Sequence, residues 1–243
     1  MHAPQLPPPP PLASDASLFL DFDGTLVELA QGPDEVHVLN ELPALLADVS
    51  RRLSGRLAIV SGRSVEWLHH TGVGDHALSG THGSELRLPG GATERPDRPA
   101  ALDEIETVFQ SFADRRPGVI VERKALAAGL HFRRVPEHED AAHALAAEWG
   151  ERAGLAVQPG KMMVELRLPG GSKGTAVTAL MAREPFCAGR PIFFGDDVTD
   201  EDGFEAAREA GGTGVLVGPP RDTAATHRLP DVAAVHAWLR QGA

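Results

Sequence analysis

Apolar and polar positions along this chain fall into blocks that switch between a strand-like and a helix-like period. Leu18, Phe19 and Leu20 form a short unbroken apolar run, the pattern of a strand covered on both faces. Residues 26–40 carry no sustained period and contain the turn pair Gly32-Pro33, so a loop is expected there. Leu42, Leu45, Leu46, Val49 and Leu53 then recur at helical spacing, with Pro43 tolerated near the start. Residues 56–60 read as a second buried strand. Ser64 is placed to cap a helix running through Leu68, with Glu66 in its first turn, and residues 77–79 read as a third strand. Strand and helix in alternation predict a parallel sheet with helices on both faces.

The rhythm changes at residues 87–99, which hold Pro89-Gly90-Gly91 and the proline pair Pro96 and Pro99. Beyond them the spacing of Leu102, Ile105, Val108, Phe109 and Phe112 predicts an amphipathic helix over 101–113. Strands are expected over 119–124 and 128–135, a helix over 137–152, and two more strands within 155–168 about Pro159-Gly160. After Pro169-Gly170-Gly171 the alternating pattern returns: helix 174–181, strand 191–194, helix 202–210, strand 214–217 and helix 232–239. The expected fold is α/β, a doubly wound parallel-sheet (Rossmann-like) core of residues 17–90 and 168–243. Residues 91–167 would form an inserted α+β cap domain on an antiparallel sheet. Residues 1–16, with the run Pro7–Pro11, are expected to be a proline-rich tail outside any sheet or helix.

Composition narrows the partners. Of 243 residues 42% are apolar and 23% charged, ordinary for a globular protein. A formal charge of −11 disfavours nucleic acid, whose backbone calls for clustered Lys and Arg. No stretch reaches the ~20 apolar residues that span a bilayer, and the N-terminus lacks the basic region of a signal peptide. Cys187 stands alone, which excludes an internal disulfide and fits a cytoplasmic location. A monomer is expected.

Ligands of doubly wound sheets bind outside the carboxyl ends of the strands. Four polar clusters fall there: Asp21/Asp23, Ser61/Gly62/Arg63, Lys173/Gly174 and Asp196/Asp197/Asp200. Taken singly each has a plain reading. Asp-x-Asp-Gly is a common turn, Ser-Gly-Arg a helix cap, Lys173 a helix-start lysine, and the last acids are favoured by a helix dipole. Taken together at equivalent strand ends they make a site. Converging carboxylates repel one another unless a hard cation relieves them, and all-oxygen donors point to Mg²⁺. Ser61, loop amides and Lys173 suit a tetrahedral dianion. Asp21, nearer the rigid strand, is the better nucleophile, and Asp23 is placed to move a proton.

These four motifs resemble those of haloacid dehalogenase-type phosphatases. The resemblance implies Asp21 as nucleophile and Asp23 as acid–base group. It also implies Mg²⁺ held by Asp21, the backbone carbonyl of Asp23, and Asp196, with Asp197 and Asp200 outer or partial ligands. Asp196-Asp197-Val198-Thr199-Asp200-Glu201 is similar to the last motif of trehalose-6-phosphate phosphatases. Gly80-Thr81-His82-Gly83-Ser84-Glu85, Glu122-Arg123-Lys124, His131-Phe132-Arg133 and Glu165-Leu166-Arg167 resemble that family's sugar-binding motifs. They imply sugar contacts from Glu122, Lys124, Arg133 and Glu165, and the resemblance as a whole adds Gly62, Arg63 and Gly83 as substrate-binding residues. Phe132 departs from the family's usual Tyr. From the residues alone, Glu122 and Lys124 could equally form a surface ion-pair ladder. The resemblance implies hydrolysis of trehalose 6-phosphate, with a phosphatase for another sugar phosphate or an inactive sugar-phosphate sensor as alternatives.

Overall fold

A computed structural model describes residues 6–29 and 36–241, so the expected turn at Gly32-Pro33 lies outside the described residues. The chain divides into two compact units, Met1–Arg95 with Gly171–Ala243, and Pro96–Gly170. In chain order the first unit holds β1 (Ala16–Leu20), α1 (Leu42–Arg52), β2 (Leu57–Val60), α2 (Val65–His70), β3 (Ala77–Gly80) and β4 (Glu85–Arg87). The second holds α3 (Ala101–Asp114), β5 (Ile120–Arg123), β6 (Ala127–His131), α4 (Glu139–Ala153), β7 (Ala156–Gly160) and β8 (Met163–Arg167). The first then resumes with α5 (Lys173–Met181), β9 (Arg190–Gly195), α6 (Glu201–Glu209), β10 (Thr213–Val217), β11 (His227–Leu229) and α7 (Val232–Gln241).

The large sheet has seven strands in the order β11-β10-β9-β1-β2-β3-β4, and all neighbours are parallel except β3 and β4. β1 lies at its centre with all five residues buried, which is why its sequence runs apolar without alternation. Leu18 and Leu20 join a core with α1, α2 and α7, while Phe19 joins a core with α5 and α6. The chain winds from β1 through β2 to β3 on one side and from β9 through β10 to β11 on the other. The winding reverses between β1 and β9, where a doubly wound sheet opens a crevice at its carboxyl edge.

Local signals place the helices. Pro43 sits in the first turn of α1, where its missing N–H leaves no bond unmade. Ser64 accepts from the amide of Trp67 to cap α2. A reciprocal capping box between Ser172 and Thr175 starts α5 at Lys173.

In the second unit the sheet order is β5-β6-β8-β7, wholly antiparallel. Ala128, Leu130, Val164 and Leu166 face α3 and α4 in one core that also buries Phe132. The β7–β8 hairpin turns at Lys161-Met162, not at Pro159-Gly160 as the sequence suggested. Pro159 is tolerated inside β7 because β7 is an edge strand, where a missing N–H breaks no inner ladder. Met162, at φ 61°, takes the left-handed turn position.

The proline-rich N-terminus departs from the expected tail. Residues 6–12 form no helix or strand, yet they pack: Leu6 and Leu12 lie against the two cores and Pro9 is buried. The indole N–H of Trp238 donates to the carbonyl of Pro10 (2.8 Å), and the amide of Arg228 donates to that of Pro7 (2.9 Å). Polyproline leaves its carbonyls unpaired within the segment, so they are available to such donors. No helix among the described residues is long and apolar enough to cross a membrane. Deleting residues 1–12 should therefore destabilise the first unit by about 2–4 kcal/mol, the scale of two half-buried leucines and two lost hydrogen bonds. Urea unfolding followed by tryptophan fluorescence would measure it; an unchanged midpoint would return the segment to the status of a tail.

Candidate active site

The carboxyl ends of β1 and β9 deliver three carboxylates to one place. Asp21 follows β1 directly, and its amide donates to the carbonyl of Phe194 on β9 (2.9 Å). Asp196 follows β9, and Asp200 ends the single turn of 3₁₀ helix before α6. One ligand oxygen from each of Asp21, Asp196 and Asp200 lies within 4.8 Å of the others. Lys173, the first residue of α5, puts its Nζ 2.6 Å from Asp21 Oδ1 and 2.6 Å from Asp200 Oδ1. Asp200 Oδ2 meanwhile accepts from the amides of Asp196 (3.0 Å) and Asp197 (2.9 Å).

Asp21, Lys173 and Asp200 are all buried. Burial pushes the Asp21 carboxyl well above the usual carboxylate range, the Asp200 charge adds to this, and Lys173 opposes it. Burial alone would lower the Lys173 ammonium, but Asp200 and Asp21 outweigh it and hold the group above its ordinary value. Three carboxylates against one ammonium leave a surplus of negative charge that a divalent cation would relieve. The donor set is all oxygen, as a hard cation prefers.

Asp23 goes elsewhere. Its carboxylate is gripped bidentately by Arg63, with Nε to Oδ2 at 2.7 Å and Nη2 to Oδ1 at 2.8 Å. Phe22, between the two acids, is fully buried in the core, and its carbonyl accepts from Leu26 (2.9 Å) and Val27 (3.0 Å) to fold the loop back. His236 of α7 pins the same loop through the Leu26 carbonyl (2.8 Å). Gly24, at φ +86°, has its missing Cβ directed into the Asp196 carboxylate, so no other residue fits there without displacing that acid.

Ser61 ends the β2 segment, buried, and its Oγ accepts from the Arg63 amide (3.1 Å). Its carbonyl receives the amide of His82, whose ring lies over Gly62. Thr81, His82 and Gly83 all have positive φ, at 47°, 51° and 91°, a run that costs strain at the first two. Buried Glu85 steadies it: Oε2 accepts from Thr81 Oγ1 (3.2 Å) and from the amide of Val65 that starts α2 (2.8 Å). Gly83 rests directly against the Ser172 carbonyl, at the cap of the helix carrying Lys173, where a Cβ would collide.

In the second unit Glu122 and Glu165 pair across Gly129, one on each side, so both carboxylates share the sheet face opposite the core. Lys124 contacts Glu165 and lies 3.6 Å from Glu122, which accepts from or pairs with His131 Nε2 at 2.8 Å. Glu165 is buried, and its Oε1 has no hydrogen-bond partner among the described residues. Arg133 lies at the other end of β6 from Lys124, exposed and donating to the Lys161 carbonyl (3.2 Å).

The trehalose-phosphatase family model matches residues 19–232. The chain belongs to the trehalose-phosphatase family. It is 38% identical over 208 residues to a probable trehalose-phosphate phosphatase of Sinorhizobium fredii, covering 84% of this chain and 78% of that protein. It is 36% identical over 236 residues to trehalose-6-phosphate phosphatase of Escherichia coli, covering 95% and 87%. A solved trehalose-6-phosphate phosphatase related protein superposes with a TM-score of 0.77 at 28% identity, over 92% of this chain and 95% of that one. The C. albicans trehalose-6-phosphate phosphatase C-terminal domain has the same fold, with a TM-score of 0.81 at 24% identity over 94% and 91%.

For this trehalose-phosphatase family member, three site residues were differently weighted by sequence. Asp200, expected as an outer or partial ligand, is the carboxylate Lys173 shares with Asp21. Asp197 turns its side chain to the amide of Val198 (2.7 Å). Gly83 is fixed by its approach to Ser172. Three supporting residues carried no local signal: Trp67, His236, and Arg221, which donates to the Asp197 carbonyl (2.8 Å). Gly24→Ala should lower turnover at least about a hundredfold while leaving the far-ultraviolet circular dichroism unchanged, since a 1 Å displacement of a site group costs that much. Near-normal turnover would show that Asp196 is free to move aside.

Proposed function

We propose that this protein hydrolyses trehalose 6-phosphate to trehalose and inorganic phosphate through an aspartyl phosphate, with Mg²⁺ as its metal. The observation that carries the reading is Asp21, buried beside the Lys173 ammonium at 2.6 Å and within 4.8 Å of the Asp196 and Asp200 oxygens. An Asp21 oxygen attacks phosphorus, and the bond from phosphorus to the sugar oxygen breaks with its electron pair leaving on that oxygen. Asp23, keeping one Arg63 hydrogen bond and carrying a proton on its other oxygen, supplies the proton the leaving oxygen takes. The resulting Asp23 carboxylate then removes a proton from water, whose oxygen attacks the same phosphorus and breaks its bond to Asp21. Inorganic phosphate leaves and both acids return to their starting state.

When bound to Asp21, Asp196 and Asp200, with the backbone of Asp23 as a further donor, Mg²⁺ supplies positive charge against the phosphoryl oxygens. Lys173 adds a second positive charge, and Ser61 with the amides of Gly62 and Arg63 donates hydrogen bonds to the phosphoryl group. Glu122, Lys124 and Glu165, joined by Arg133, recognise sugar hydroxyls. The unpartnered Glu165 Oε1 supports this over a ladder of ion pairs, because a buried acceptor left unmade costs about 1–3 kcal/mol that a hydroxyl donor would recover. The lone cysteine is exposed and free, in keeping with a cytoplasmic setting.

Asp21→Asn should reduce turnover by at least about a thousandfold and abolish phosphorylation of the Asp21 peptide in acid-quenched enzyme read by mass spectrometry. Full turnover in that variant would eliminate the covalent route. Chelation should likewise remove activity, with Mg²⁺ restoring it and raising the Tm of the chelated protein. Glu165→Gln should cut kcat/KM for trehalose 6-phosphate by about 10–100-fold while changing p-nitrophenyl phosphate less than about twofold. Equal losses on the two substrates would deny Glu165 a sugar contact.

A further inference from the structure

We propose that Trp67 is a positioning residue for the proton transfer, acting by holding the Arg63 guanidinium in the orientation that aims the Asp23 carboxylate. The inference rests on the reading of Asp23 as the acid–base group.

The indole ring of Trp67 lies beneath Arg63, whose guanidinium carbon is 3.9 Å from the ring centroid. The same guanidinium makes both hydrogen bonds to Asp23. Trp67 also meets Phe22 edge to face, with centroids 5.7 Å apart and planes at 77°. Phe22 stands between Asp21 and Asp23, so one side chain touches the residue separating the two acids and the cation gripping the second.

The base beneath this stack is fixed. The Trp67 amide donates to Ser64 Oγ (3.1 Å), and the first amide of the same helix donates to buried Glu85. Arginine loses much rotamer freedom when its fork is set, and an aromatic platform restricts it before the carboxylate is engaged. Had Trp67 only filled space against Phe22, an aliphatic side chain would serve. The face it presents to Arg63 is the part that packing does not require.

The test compares two aryl phosphates of similar size whose leaving groups differ in their need for a proton. Phenyl phosphate expels a basic oxygen that gains from a general acid; p-nitrophenyl phosphate expels one that scarcely does. Trp67→Leu should lower kcat/KM, which reports only the step that expels the leaving group and not the shared hydrolysis of phospho-Asp21, about tenfold on phenyl phosphate and less than about twofold on p-nitrophenyl phosphate. Trp67→Phe, which keeps an aromatic face, should recover most of the loss. The ratio of the two rates in one preparation does not depend on the fraction folded, so a destabilised variant still answers. Equal losses on both substrates, or a Trp67→Phe no better than Trp67→Leu, would overturn the proposal. Asp23→Asn separates the two levels. If it shows the selective loss and Trp67→Leu does not, the positioning role fails and the acid–base reading stands. If Asp23→Asn is itself unselective, the acid–base reading fails and takes this inference with it.

Discussion

Lys173 places one ammonium 2.6 Å from both Asp21 and Asp200 in a region that water barely reaches, and much of the surrounding structure serves that contact. Removing one member of a buried ion pair leaves the other uncompensated, at a cost of about 3–5 kcal/mol. The chain meets the requirement with rigid parts. Asp21 is tied to β9, Lys173 is set by the Ser172–Thr175 capping box, and Asp200 is turned inward by two backbone amides. Gly83 lies against the same cap, so the strained 81–83 turn, itself held by Glu85, is registered to the helix bearing the lysine. The two acids of the first motif are thereby divided. Asp21 belongs to the charge cluster, and Asp23 to Arg63.

Much of this was legible because burial writes itself into composition. The run at Leu18–Leu20, the helical spacing over α1 and the cap at Ser64 are local signals, and local structure follows them. β4 and β11 were missed for a physical reason. Each has three residues, too few for a period, and each exists only by pairing with a strand already in place. The packing of the proline segment was invisible for a related reason, since its partner Trp238 lies at the far end of the sequence. The spacing of Asp196, Asp197 and Asp200 could not say which acid turns inward. That depends on where α5 delivers Lys173.

The small antiparallel sheet shows how a polar face is built on an apolar support. Alternation sends Leu130, Val164 and Leu166 to the helices and leaves Glu122, His131 and Glu165 on the other side. Gly129, lying between the two glutamates, carries no side chain to separate them. Two like charges flanking the same β6 residue would ordinarily repel one another, and Lys124 offsets this by reaching both. Phe132 sits in the supporting core instead, edge to face with His143. Its lack of a hydroxyl is therefore suited to its surroundings.

The central position of β1 has a consequence for how the chain is made. Its partner on one side is β2, close in sequence, but on the other side Ala16 pairs with Arg190 and Leu20 with Phe194. During synthesis one edge of this buried, largely apolar strand stays open until residues 190–195 have emerged, after the whole of the second unit. The second unit is continuous in sequence, two hairpins joined by the β6–β8 pairing, so all its parts emerge earlier and it is able to finish first. An unpaired edge of this composition is a template for association between nascent chains. The arrangement that buries the strand so thoroughly in the finished protein is thus the one that exposes it longest beforehand, and yield in the cell will depend on what shields it during that interval.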